Sequence, residues 1–167
     1  MKVTVRKFDA GIFASVKDLT KSQVLVGVPD ANAPRNSDEE EAQKGEPINN
    51  ATIGYIMEFG APNANIPARP HLLPGISDAK DAIAGQLKKG AQQALAGKAD
   101  AADTALNKVG LIASSAVKAR ITEGPFTPLA EATLRARRAR GRTGEKPLLD
   151  TGQYRNAQTY VIRPKGK

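Results

Sequence analysis

ATIGYIMEFGAPNANIPARPHLLPGI, residues 51–76, is the stretch on which the fold turns. A short apolar segment runs into Glu58-Phe59-Gly60, a proline-spaced loop follows, and a long amphipathic pattern begins. Asn50 is placed to cap a short helix through Met57, with Ile53, Ile56 and Met57 on one face and Gly60 ending it. Pro62, Pro67, Pro70 and Pro74 each fix φ and remove a donor, so helix is not expected before Ile76. Ser77 then reads as an N-cap, with Asp78 favoured in the first turn by the helix dipole. Ile76, Ala79, Ile83, Leu87, Ala91 and Ala94 keep helical spacing up to a stop at Gly97. A second helix starts near Asp100 or Asp103, is lined by Leu106, Val109, Ile112, Ala113, Ala116, Val117 and Ile121, and ends at Gly124-Pro125. Both helices are rich in alanine, which lets them pack closely on a sheet or on each other.

Outward from this core the pattern is strand-like. Residues 2–7, KVTVRK, alternate, and residues 23–28, QVLVGV, are valine-rich and stop at Pro29. Residues 8–18 are ambiguous. Residues 29–50 form a long polar loop that contains the acidic run Asp38-Glu39-Glu40-Glu41. Residues 127–140 read as a short basic helix and 141–146 as a flexible tip. A turn or helical turn follows over 148–156, and residues 159–163 make a final strand. The expected class is α+β: one domain over residues 1–167, with a small antiparallel sheet against two long helices and long loops.

Composition sets limits on partners and location. A chain of 167 residues is long enough to bury a core. Aromatic residues are only 4%, so that core is expected to be thin and helped by a partner surface. There is no cysteine, hence no disulfide and no thiolate metal site, which fits assembly in a reducing cytoplasm. The N-terminal residues lack the apolar run of a signal peptide, and no stretch has the length of a transmembrane helix. Residues 1–97 hold 11 Lys/Arg and 11 Asp/Glu, whereas residues 98–167 hold 14 and 6. The whole net charge of +8 therefore sits in the C-terminal part.

Candidate chemistry is sparse. Glu58 could act as a general base only with a partner in hydrogen-bond reach. With a single histidine, His71, and no HExxH-like spacing, neither catalysis nor metal binding is expected. Glu58 instead suits a structural turn with Gly60, accepting backbone N–H groups or pairing with Arg69. Asp150-Thr151-Gly152 has the letters of an aspartic-protease triplet, but that chemistry needs two carboxylates sharing a proton. Here Asp150 reads as a cap for the turn over residues 153–156, with Gly152 in the turn. Four prolines in thirteen residues around Arg69 make a stiff arm suited to a neighbouring subunit. Arg135, Arg137, Arg138, Arg140, Arg142 and Lys146 suit DNA phosphates or an acidic protein rim, with a solvated mobile loop as the plain alternative. No aromatic lies among them to stack on bases.

Read in order, E-F-G-A at residues 58–61, P-A-R-P-H-L-L-P-G at 67–75 and K-P-L-L-D-T-G-Q-Y-R-N at 146–156 resemble three motifs of one family. It comprises the tail-completion and neck proteins of long-tailed double-stranded DNA bacteriophages, including phage virion-morphogenesis proteins. In that family an E-F-G-(T/S/A) turn, a P-(A/P)-R-P-(F/H)-L-x-P-(G/A) loop and a late K-P-L-(I/L)-D-T-G-x-(L/Y)-R-N segment come in this order. The resemblance spans about two thirds of the chain. Two departures are the long acidic loop over residues 29–50 and Tyr154, where leucine is common.

The resemblance implies a structural virion protein without cofactor or metal and without enzymatic activity. It implies a homo-oligomeric ring of six copies at the head-proximal end of the tail or in the neck. The ring would contact the tail tube and the head–tail connector, and genomic DNA would pass through its lumen without sequence-specific binding. On this reading Pro67, Arg69, Pro70 and His71, together with Arg135, Arg137, Arg138 and Arg140, belong to subunit or partner interfaces, and no membrane is involved. The alternative is a basic DNA-binding accessory protein.

Overall fold

The computed structural model describes residues 17, 20–32, 34 and 48–166. The strand expected over residues 2–7 and the acidic run Asp38–Glu41 lie outside them. In chain order the elements are β1 (Ser22–Gly27), a 3₁₀ turn (Asp30–Asn32), α1 (Asn50–Phe59), a second 3₁₀ turn (Pro62–Ala64), α2 (Leu72–Asp78), α3 (Lys80–Leu95), α4 (Ala101–Glu123), α5 (Glu131–Ala139), α6 (Gln153–Ala157) and β2 (Thr159–Pro164). The class is α+β.

β1 and β2 pair antiparallel, from Ser22 opposite Pro164 to Gly27 opposite Thr159. Val24 faces Ile162 and Val26 faces Tyr160. Leu25, on the other side of the pleat, is exposed. The ribbon lies on α4, the 23-residue helix at the centre of the molecule. α3 packs against α4 rather than on the sheet, and α2 crosses the C-terminal half of α4. Core residues along α4 are small: Ala101, Ala102, Ala105 and Ala113 are buried with Leu106, Val109, Val117 and Ile121. The main apolar cluster joins Val117 and Ile121 to Leu148 and Tyr154.

Close helix approach explains the alanines and two glycines. A Cβ on Gly90 of α3 would stand 2.3 Å from the Ala105 Cβ, and one on Gly110 of α4 would stand 2.1 Å from the Tyr160 ring. Gly110→Ala therefore sets two effects against each other. Helix propensity favours alanine by about 1 kcal/mol, while driving a ring out of a packed site costs about 3 kcal/mol. The net expectation is a loss of about 2 kcal/mol, which in a chain of this size lowers Tm by about 4–8 °C. Gly85→Ala, also within α3 but with nothing within 4 Å, should raise Tm. Thermal melts of the two variants check the contrast, and equal shifts would count against the packing account.

Helix ends depart from the sequence expectations in instructive ways. The cap of α1 is Asn49, whose side chain accepts from the Thr52 N–H at 2.8 Å, not Asn50. Asn50 is buried and its Nδ2 donates to the carbonyls of Pro34 (3.2 Å) and Asn32 (3.5 Å). This side chain ties the two ends of the intervening segment together. Pro74 does not delay helix to Ile76, because it occupies the first turn of α2, where an N–H would have no intrahelical acceptor. Ser77 is therefore inside α2 and caps nothing. Ala79 separates α2 from α3. The C-terminus of α3 closes as expected at Gly97 (φ 82°): Lys98 N donates to Gln93 O and Gly97 N to Ala94 O, the paired bonds of a Schellman turn.

Candidate functional site

The three motif segments converge on Glu58. It sits in the last turn of α1 and turns its carboxylate onto the start of α2. Oε2 accepts from the N–H groups of His71 and Leu72, both at 2.8 Å, and Oε1 accepts from Leu73 N–H at 3.1 Å. These are the donors that the first turn of α2 cannot satisfy itself, and Pro74 adds none. One helix thus caps the next with a buried anion, which the dipole of α2 favours. Burial alone would push the Glu58 carboxyl up. The three N–H donors outweigh it, aided by the nearby His71, and hold the carboxyl below the usual range.

His71 continues the chain of bonds. Its Nδ1 lies 2.9 Å from the Arg69 carbonyl and 3.2 Å from Glu58 Oε2. Nδ1–H is therefore the donor and Nε2 the acceptor of the Tyr154 hydroxyl, 83 residues away in sequence. The rings meet edge to face at 5.4 Å. Gly54 of α1 leaves the room: a Cβ there would stand 2.9 Å from the Tyr154 hydroxyl. Burial holds His71 below its ordinary value, against the Arg69 carbonyl and the Glu58 charge. Burial and then the Glu58 charge push the Tyr154 phenol well up, against a bond from the Gln158 side chain. Gln158 ends the network: it is 2% exposed and its Oε1 has no donor.

Acid should open this network in two steps. The unfolded state takes up the His71 proton first, since the folded pKa is the lower one, so stability falls as pH drops below about 6.5. The contribution of Glu58 is complete above about 4.3 and is lost as pH falls through its still lower folded value. Urea midpoints measured from pH 7 to pH 3 should show both phases. In His71→Gln the first should vanish and the second remain.

The loop between Glu58 and His71 is rigid for stated reasons. Gly60 has φ 78°, and a Cβ would stand 2.9 Å from Ala68 N. Ala61 and Ile66 exchange backbone bonds. Arg69 N–H donates to Met57 O at 2.6 Å. Its guanidinium does not pair with Glu58, whose lone pairs are already taken up. Nε and Nη2 reach instead to the carbonyls of Thr127 (2.9 Å) and Pro128 (3.0 Å).

The late segment is organised by Arg137. Only 7% exposed, it donates from Nη1 to the carbonyls of Gly144 (2.7 Å), Lys146 (3.0 Å) and Leu149 (3.0 Å). Its Nε lies 3.4 Å from Asp150. Residues 141–146 are thus held from inside and are not a free tip. Asp150 does not cap residues 153–156: Arg142 at 2.6 Å and Arg137 occupy it. The cap position of α6 is Gly152, at φ 78°. Both oxygens of Asp150 face arginine side chains, so it pairs with cations rather than with a second carboxylate. Arg138 reaches Glu131 and Glu145, and Lys146 Nζ donates to Thr122 O.

The expected interface residues therefore divide. Arg69, His71 and Arg137 are buried within the chain and bonded to its own carbonyls and carboxylates. Pro67, Pro70, Arg135, Arg138 and Arg140 are exposed. Sequence reasoning missed a second feature, an apolar surface at Tyr55, Phe59 and Leu73, which are 68%, 60% and 62% exposed. It rims a cleft of ≈ 270 Å³ whose lining includes Val28, His71 and Gln158. Among the described residues no group of three or more His, Cys, Asp or Glu could hold a metal ion, and no helix is long and apolar enough to cross a membrane. Compared with protein-family models, curated proteins and solved structures, the chain matches none.

Proposed function

We propose that the chain is a structural virion protein of a long-tailed phage, forming a ring at the head-proximal end of the tail or in the neck that joins tail to head. The motif resemblance suggests the role, and one observation supports it most. The Glu58–His71–Tyr154 chain of bonds knits all three motif segments into a single strut. Motifs of a catalyst end in groups offered to a substrate. Here the motif carboxylate and imidazole end on the chain's own backbone and phenol, leaving stiff proline-flanked loops at the surface. Such a unit is preorganised for assembly.

The DNA-binding alternative is weakened by the basic segment itself. Arg137 is buried, Arg138 and Arg142 face carboxylates, and Lys146 binds a helix carbonyl. The test is genetic and structural together. Phage lacking this chain should accumulate filled heads and unjoined tails, and purified protein added to that lysate should restore infectious particles. Normal joining without the chain would overturn the reading. A shift of duplex DNA by the isolated protein at moderate salt would favour the alternative.

A further inference from the structure

Buried charge is unevenly balanced around a second cleft, the one between α1, α5 and residues 147–154. Arg137, on one wall, has Asp150 as its counter-charge. Arg69, on another, is only 5% exposed, yet no carboxylate among the described residues pairs with it. Its Nε and Nη2 are spent on the carbonyls of Thr127 and Pro128, which carry no net charge. Nη1 has no acceptor among the described residues and is not sealed from solvent. Burial holds this guanidinium below its ordinary value. A cation taken out of water ordinarily keeps an anion beside it, because its desolvation is otherwise uncompensated. Within the chain, Arg69 has two carbonyl dipoles in place of that anion.

We propose that this cleft binds a carboxylate carried on a small apolar group, with the carboxylate on Arg69 Nη1. The walls suit the apolar part: Ile53 and Met57 come from α1, and Leu129 and Leu148 face them across the cleft. The charge suits a monoanion. Nη1 offers the N–H groups of a single nitrogen, and Thr133, exposed on α5, adds one hydroxyl that has no bond among the described residues. A phosphate dianion is more strongly hydrated and needs more donors than these to replace its water. The size suits a short ligand. The volume of ≈ 240 Å³ lies below the roughly 300–1,000 Å³ of sites for drug-sized molecules. It admits a branched small acid or the last residue of a polypeptide, both of which present a carboxylate on an apolar group. The site is independent of the virion role proposed above, since it rests on Arg69 and the cleft walls alone.

The test titrates the full, isotope-labelled chain with isocaproate and follows the amide resonances of Met57, Arg69 and Leu148. Saturable shifts with a Kd on the order of 1 mM are expected for so small a ligand. Isocaproamide has the same shape without the charge and should bind about tenfold or more weakly. Inorganic phosphate, which has no apolar part, should also bind more weakly than isocaproate. Ala136→Phe fills the cleft from an exposed position on α5 and leaves the Arg69 bonds in place, so the fold should survive, as circular dichroism would verify. It should weaken isocaproate binding about tenfold or more. Arg69→Met, where it folds, should bind acid and amide alike. An acetylated tripeptide ending in leucine separates the two sources: tighter binding than isocaproate assigns the site to a chain end, weaker binding to a free acid. No saturable shift with either acid, equal binding of isocaproate and its amide, tighter binding of phosphate, or wild-type affinity in Ala136→Phe would overturn the proposal.

Discussion

Glu58→Ala is expected to lower the unfolding free energy by about 3 kcal/mol. Three backbone donors at the start of α2 lose a charged acceptor in a site with little access to water, and the helix dipole loses its counter-charge. Glu58→Gln keeps one carbonyl oxygen and should lose about half as much. The loss should be local in origin: amide exchange at Leu72 and Leu73 should rise before that at Val117 or Ile121. Urea unfolding of both variants gives the ranking. An alanine variant as stable as the glutamine variant would mean that the carboxylate is not what holds α2.

The second large effect is expected at Arg137. Arg137→Met keeps the length and apolar stem but removes the donors for Gly144, Lys146 and Leu149. About 3 kcal/mol is expected, because a buried charge partner and three carbonyl bonds go together. Arg137→Lys should rescue little, since a point ammonium cannot reproduce a planar fork that spans several acceptors. Arg135→Met, at an exposed position on the same helix, should cost within about 0.5 kcal/mol. Proteolysis or exchange within residues 141–150 reads the difference directly, and parity of the Arg137 and Arg135 variants would remove Arg137 as the organiser of this segment.

Legibility followed the range of the interactions. α4 was readable because Leu106, Val109, Ala113, Val117 and Ile121 repeat at helical spacing, and β1 and β2 because valine-rich or alternating runs end at turn residues. Gly97 and Gly124 marked helix ends through local geometry. Pro74 misled because the rule against proline concerns helix interiors, and only the distant Glu58 turns residues 72–74 into a satisfied first turn. Arg135, Arg137, Arg138 and Arg140 look alike as letters. Tertiary contact alone decides which one is buried. The His71 partner Tyr154 was out of sight for the same reason. Within the Glu58 site, the carboxylate's choice of N–H groups over Arg69 followed from which donors a helix start leaves open, a matter the sequence posed as two alternatives.

The Asn50 tie to Pro34 and Asn32 carries a consequence for how this chain can change. It joins the turn after β1 to the first residue of α1 through the Asn50 side chain and two carbonyls. Doubling the length of such an interval adds only about 0.6 kcal/mol of closure entropy. A change in the length of the interval is therefore cheap in chain entropy as long as the tie holds β1 and α1 in place. In genetic terms, one asparagine codon uncouples the length of the interval from the geometry of the frame that it joins.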